Sequence, residues 1–191
     1  MTELQLWEIL AVLLAVVYLV LAIRQNIWCW AAAAVSTLLY LFIMYRASLY
    51  MESALQVFYL AMAAYGWYEW RHGGAGGEEL QVTTWPMRYH LFALVAVFGL
   101  VLISGELLTR YSAAALPFLD SFTTWGAVVA TFMVARKILE NWIYWFVIDA
   151  VSIGLYLSRE LYFTAALFAV YLVMIVIGYR EWRGSMQENA A

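Results

Sequence analysis

Apolar runs of bilayer length follow one another along the 191 residues with short polar breaks, and this commits the chain to lipid before any motif is read. Seven spans are predicted: Leu4 to Ile23, Ile27 to Tyr45, Leu49 to Tyr68, Tyr89 to Leu108, Phe118 to Ala135, Ile138 to Leu157 and Leu161 to Tyr179. Each approaches the roughly 20 residues that a helix needs to cross the hydrocarbon. A soluble globule is excluded, because 66% hydrophobic and 12% charged residues leave too few polar faces to meet water. A net charge of -3 supplies no basic patch, so no nucleic-acid partner is expected. Cys29 is alone and forms no internal disulfide. The first run lacks a basic leader and a small-residue cleavage site, and it reads as a span rather than a signal. The fifth has the shortest uninterrupted apolar part, Trp125 to Ala135, and Asp120 or Ser121 is expected to cap its start.

Short connections make the first three spans antiparallel neighbours, and likewise the last three. The longest link, Glu69 to Arg88, holds Gly73, Gly74, Gly76 and Gly77 and is expected to be a flexible surface loop. One side of the membrane receives Arg46, Arg110 and Arg159. The other receives Arg24, Arg71, Arg88, Arg136, Lys137, Arg180 and Arg183. The excess of positive charge places the N-terminus outside and the C-terminus in the cytoplasm.

The chain also repeats itself. Leu49 to Arg71 matches Leu161 to Arg183 at an offset of 112 residues, with 11 of 23 positions identical, and both copies end G-x-x-E-W-R. Upstream the match is expected to shift to an offset of 115, pairing Asn26 with Asn141 and Trp30 with Trp145, with three residues lost in between. Four crossings separate the copies, so both run in the same direction. The expected architecture is an all-α integral membrane protein in which two parallel three-helix repeats flank a linker helix. Its segments are 4–71, a cytoplasmic loop and linker over 72–117, 118–183, and a cytoplasmic tail over 184–191. Duplication of this kind is a transporter plan, with a substrate site near the midplane at the repeat interface.

Matched residues serve the scaffold, so function is sought where the copies differ and polar groups sit deep. Asp149 lies near the centre of the sixth span, where a charge costs at least about 2.5 kcal/mol, and its expected counterpart is Ala34. At helical steps on the same face stand Asn141, Trp145, Ser152 and Tyr156, with Trp142 beside them. The third span presents Glu52, Gln56 and Tyr59, then Ala63 and Gly66, on one face. Gln56 offers amide donors and acceptors, and is equally suited to binding solute and to joining helices. Glu52 is near the end and reads as interfacial, as do Trp28, Trp70, Trp85 and Trp182. Ser36, Thr37 and Tyr40 are weaker candidates, since hydroxyls often pack between membrane helices.

The run Lys137, Glu140, Asn141, Trp142, Trp145 and Asp149, K-x-x-E-N-W-x-x-W-x-x-x-D, resembles the nicotinamide riboside transporters of the PnuC family. So does the third span, with Leu55, Gln56, Tyr59, Gly66, Trp67, Tyr68 and Trp70 reading L-Q-x-x-Y and then G-W-Y-x-W. The resemblance runs from Trp7 to Trp182. It implies a bacterial inner-membrane facilitator of vitamin precursors, similar in plan to the sugar-transporting SWEETs and homotrimeric; the chain ends soon after the last span, so no appended kinase domain is expected. It also implies transport uncoupled to ions or ATP, made directional by a cytoplasmic kinase that phosphorylates the substrate. Members for thiamine or riboflavin look alike.

The residues fit such a solute. Nicotinamide riboside carries a fixed positive charge, which an indole face holds for about 0.5 to 2 kcal/mol. Trp142 and Trp145 are expected to stack its ring, and Asp149 to balance the charge or bind ribose. Gln56, Asn141 and Tyr59 supply hydrogen bonds, with Ser152 and Tyr156 completing the substrate-binding set. Thiamine is cationic too, whereas neutral riboflavin fits this argument less well. Asp149 is the lone deep acid, with His90 and Glu106 near the ends of the fourth span, so no proton relay is expected.

Other classes fare worse. A retinal protein needs a lysine in its last helix, and Lys137 is the sole lysine. His72, His90 and Cys29 make no metal cluster, and neither H-E-x-x-H nor G-x-S-x-G occurs, so no enzyme, metal or cofactor is expected. A structural membrane subunit is the remaining alternative.

Overall fold

The computed structural model describes residues 3–46, 50–111, 116–158 and 162–188. Among these it holds seven α-helices and no strand: α1 (Glu3–Ile23), α2 (Trp28–Arg46), α3 (Tyr50–His72), α4 (Met87–Tyr111), α5 (Pro117–Ala135), α6 (Asn141–Ser158) and α7 (Tyr162–Glu188). The all-α class and seven-helix count agree with the apolar runs. The helices α4, α5 and Ala165–Glu188 of α7 are long and apolar enough to cross a bilayer, and Ile9–Ile23, Trp28–Ile43 and Asn141–Leu157 form shorter apolar helices. The connections 47–49, 112–115 and 159–161, with Arg159 among them, lie outside the described residues.

Several helix ends differ from the expected ones. Helix α5 starts at Pro117, whose locked φ and missing N–H suit the first helical position. Asp120 and Ser121 therefore lie inside the helix rather than capping it, and the Asp120 N–H donates to the Leu116 carbonyl at 3.0 Å. Helix α6 starts at Asn141, three residues later than expected, because residues 136–140 wind into a turn. Both α3 and α7 run further, which puts G-x-x-E-W-R within helix each time.

The chain forms two compact units, Met1–Gln81 with Ala135–Lys137, and Val82–Val134 with Ile138–Ala191. In the first, α2 packs against both α1 and α3. In the second, α6 packs on α7. Helix α4 also belongs there: Phe98 meets Phe122 with ring centroids 6.4 Å apart, and the Trp125 indole donates to Ser104 Oγ at 3.1 Å.

Around the starts of α2 and α6 the same local geometry recurs at a constant offset of 112. Gln25 and Lys137 both take the left-handed backbone, at φ 52° and 49°. The next amide reaches back five residues in both cases, Asn26 N to Leu21 O and Ile138 N to Met133 O, each 2.9 Å. On α2 the Trp30 ring lies against Gly66 and meets Trp70 edge-on at 5.5 Å; on α6 the Trp142 ring lies against Gly178 and meets Trp182 edge-on at 5.4 Å. Trp30 therefore corresponds to Trp142 and Asn26 to Ile138, and no residues are lost between the copies. The expected shift to 115 is corrected, and the counterpart of Asp149 is Thr37 rather than Ala34. A slip of three residues keeps a side chain close to the same helix face, which is why the wrong register matched polar and aromatic positions so well.

The same geometry corrects two tryptophans. Trp70 and Trp182 are only 3% and 0% exposed, closing the core of their units instead of lying at an interface. Trp28, by contrast, is exposed, and Trp85 is half-buried.

The segment after α3 is an anchored strap rather than a flexible loop. Gly76 and Gly77 stand at φ 76° and 86°, which glycine adopts without strain, and Gly74 N donates to Glu78 O at 3.0 Å. Leu80 is buried in the first unit and donates its amide to Trp70 O at 3.1 Å. In the second unit Val82 is buried, Thr83 bridges to Ile138, and the Leu139 amide donates to Thr83 O at 2.8 Å.

Candidate functional site

Helix α6 carries most of the candidate residues because its first turn fixes which face is polar. Asn141, fully buried, donates from Nδ2 to the Ile138 carbonyl at 2.6 Å and so ties the start of the helix to the turn before it. Its Oδ1 has no partner among the described residues. From that anchor, helical steps bring Trp145, Asp149, Ser152 and Tyr156 to one face.

Asp149 is the unusual member. It is 5% exposed, and among the described residues its carboxylate has neither a hydrogen-bond nor an ion-pair partner. A buried polar group without a partner costs free energy, a charged one most of all, so this carboxyl group can accept a cationic or hydrogen-donating partner. Ser152 is already served, since its hydroxyl donates to the Ile148 carbonyl at 2.8 Å. Trp145 and Tyr156 are half-buried. The Tyr156 ring lies 5.0 Å from Phe168, which lies 5.5 Å from Tyr171, giving α6 and α7 a continuous aromatic row.

Trp142 has a different environment. It is 2% exposed, wedged on Gly178 and Trp182 as its counterpart Trp30 is on Gly66 and Trp70. Both indole N–H groups lack a partner among the described residues.

The first unit holds Gln56 and Tyr59, one helical step apart on α3 and both half-buried, with Tyr59 against the Phe58 ring at 5.5 Å. The side chain of Glu52 lies outside the described residues. On α2 the Ser36 hydroxyl donates to the Ala11 carbonyl at 2.9 Å, and Thr37 is buried beside it. Sequence reasoning undervalued Thr37. In the correct register it is the first unit's counterpart of Asp149, and the constant offset was the signal that would have found it.

The charged residues of K-x-x-E-N-W hold the turn together. The Lys137 ammonium sits over the Trp70 ring at 4.7 Å and is buried, and burial pushes its pKa below the usual lysine value while Glu79 and Cys29 oppose the shift. Glu140 Oε2 accepts the Trp85 amide at 3.2 Å, pinning the strap. Arg136 pairs with Glu69 at 2.9 Å. Among the described residues no three metal-ligating side chains cluster.

Comparison with known proteins gives one consistent answer. The model of a family described as nicotinamide mononucleotide transporter matches residues 5–184. The riboflavin/roseoflavin transporter RibM of Streptomyces davaonensis is 28% identical over 174 residues, 89% of this chain and 81% of that protein. The nicotinamide riboside transporter PnuC of Escherichia coli K12 is 26% identical over 178 residues, 78% of this chain and 73% of that protein. In fold, the chain is similar to a crystal structure of the vitamin B3 transporter PnuC, with a TM-score of 0.72 over 94% of this chain and 81% of that one at 23% identity.

Proposed function

The chain belongs to the nicotinamide mononucleotide transporter family, multi-pass membrane transporters rather than enzymes, and from that premise we propose that it imports nicotinamide riboside. The observation that carries the substrate is Asp149, a buried carboxylate without a partner among the described residues. A pyridinium ribonucleoside brings the fixed positive charge that such a group lacks. In this reading Asp149 balances the ring cation, and Trp145 stacks on it for about 0.5 to 2 kcal/mol. Within the same unit Asn141, Ser152 and Tyr156 supply hydrogen bonds to the ribose and the carboxamide. Trp142 backs the site, its ring committed to Gly178 and Trp182.

Transport is by alternating access in the bacterial inner membrane, with the N-terminus outside and the C-terminus in the cytoplasm, and the protein works as a homotrimer. No ion or ATP drives it; a cytoplasmic kinase traps the solute by phosphorylation. The charge pattern that supports the orientation is the seven-to-three excess counted above.

Riboflavin is the second reading, favoured by the similarity to RibM over most of the chain. A thermal-shift panel separates the two. A micromolar ligand corresponds to about 8 kcal/mol of binding, and in excess it raises the melting point visibly. Nicotinamide riboside is expected to stabilise the purified protein and riboflavin not; the reverse result assigns riboflavin, and stabilisation by neither refutes both. In proteoliposomes, labelled nicotinamide riboside is expected to equilibrate without ATP and regardless of a protonophore. Accumulation against a gradient on an imposed proton gradient would overturn the uncoupled mechanism.

A further inference from the structure

Between α6 and α7 the second unit has a groove of about 430 Å³ that shares only the Trp142 ring with the transport reading and is given no occupant by it. Its walls are Trp142, Ile143, Phe146, Ile175, Val176 and Tyr179, and Arg180 and Arg183 close one end. The arginines are three residues apart, hence on one face of α7, and neither has a carboxylate partner among the described residues. Ile143, Phe146 and Val176 are exposed along the groove. From Arg183 to Ile175 it follows α7 for about 12 Å at 1.5 Å per residue, within a helix long and apolar enough to span a bilayer.

The feature is specific to this repeat. In the first unit the counterparts of Arg180, Ile143 and Phe146 are Tyr68, Ala31 and Ala34, so the second cation and the long apolar walls are missing. There Trp28 stacks edge-on against Trp67, the counterpart of Tyr179, with ring centroids 5.4 Å apart. The residue matching Trp28 in the second unit is Glu140, whose carboxylate is taken by the Trp85 amide instead.

We propose that this groove binds an anionic phospholipid of the surrounding leaflet, its phosphate between Arg180 and Arg183 and one acyl chain along Ile143, Phe146, Ile175 and Val176. Guanidinium forks match phosphate oxygens in geometry and charge. Basic pockets between membrane helices favour anionic head groups for the same reason. A soluble phosphate would satisfy the arginines but leave the apolar walls uncovered, so the lipid is the occupant that uses the whole groove.

The test uses the full chain purified in a neutral detergent. Dioleoylphosphatidylglycerol, added at the same mole fraction as dioleoylphosphatidylcholine, is expected to raise the melting midpoint by about 5 °C more. The gain is expected to vanish in the Arg180→Gln/Arg183→Gln double variant and to persist in Arg71→Gln, the first repeat's counterpart of Arg183. Native mass spectrometry of the wild type is expected to retain phosphatidylglycerol in preference to phosphatidylcholine, a readout that needs no variant. Equal stabilisation by the two lipids overturns the proposal. So does an equal effect of inorganic phosphate alone. A double variant that loses oligomeric mass while keeping the lipid effect assigns the face to a second copy of the chain and also overturns it.

Discussion

The Trp142 indole occupies the space that a side chain at Gly178 would need, and a Cβ built there would sit closer to the ring than real Cβ contacts come. Helix α7 is thereby held at the distance that lets Trp142 meet Trp182 edge-on. Gly178→Ala gains helix propensity worth at most about 1 kcal/mol but forces a packed indole to move, which costs typically 1 to 3 kcal/mol. The expected net result is a midpoint several degrees lower in thermal unfolding, partly restored by adding Trp142→Phe. Wild-type stability in Gly178→Ala would show that the ring yields without cost.

How far the sequence reveals this molecule depends on which feature is read. The seven helices follow from apolar runs of bilayer length, and the duplication from identities between α3 and α7. The upstream register was not legible, because Trp142 and Trp145 lie three residues apart and both fit one face of α6, so either matches Trp30 by residue type. The left-handed backbone shared by Gln25 and Lys137 settles the alignment, and it is hidden in sequence because neither residue is glycine. The strap was misread for the opposite reason: its glycines signal freedom, while Leu80 and Val82, which tie it down, look like ordinary apolar residues. Asp149, by contrast, was conspicuous from the sequence alone, since a carboxylate amid an apolar run has few structural uses.

Lys137 makes stability depend on pH. Its folded pKa lies below 10.5, chiefly because burial strips water from the ammonium, so between that lowered value and 10.5 the unfolded chain binds more protons than the folded one. Stability therefore rises with pH across that interval, and below it the penalty is constant. Lys137→Gln removes the titration, and Gln25 shows that glutamine takes this backbone at φ 52°. The wild-type melting midpoint is expected to gain on the variant's as pH climbs toward 10.5. Parallel curves would disprove the coupling.

Glu140 ties the strap to α6 through the Trp85 amide. The bond is part-buried, so the value for a charged acceptor is discounted to about 1 kcal/mol. Glu140→Ala is expected to speed hydrogen exchange at the Trp85 amide about fivefold, while Glu140→Gln, which keeps an acceptor, changes it less. Unaltered exchange in Glu140→Ala would mean that the Thr83 and Leu139 bond alone holds the strap.

Asp149→Asn separates binding from stability. The amide has the same shape and removes a buried charge that has no partner among the described residues, so the empty protein is expected to melt higher than the wild type. Nicotinamide riboside loses its counter-charge, and its affinity is expected to fall about tenfold or more, since a charge-assisted contact contributes more than a neutral one and 1.4 kcal/mol is a factor of ten. A neutral flavin is expected to be unaffected. Opposite movement of melting point and affinity in one variant marks a residue kept for its guest at the expense of the fold. Titration calorimetry on the wild type and Asp149→Asn checks the affinity, and unchanged nicotinamide riboside binding would remove Asp149 from the site.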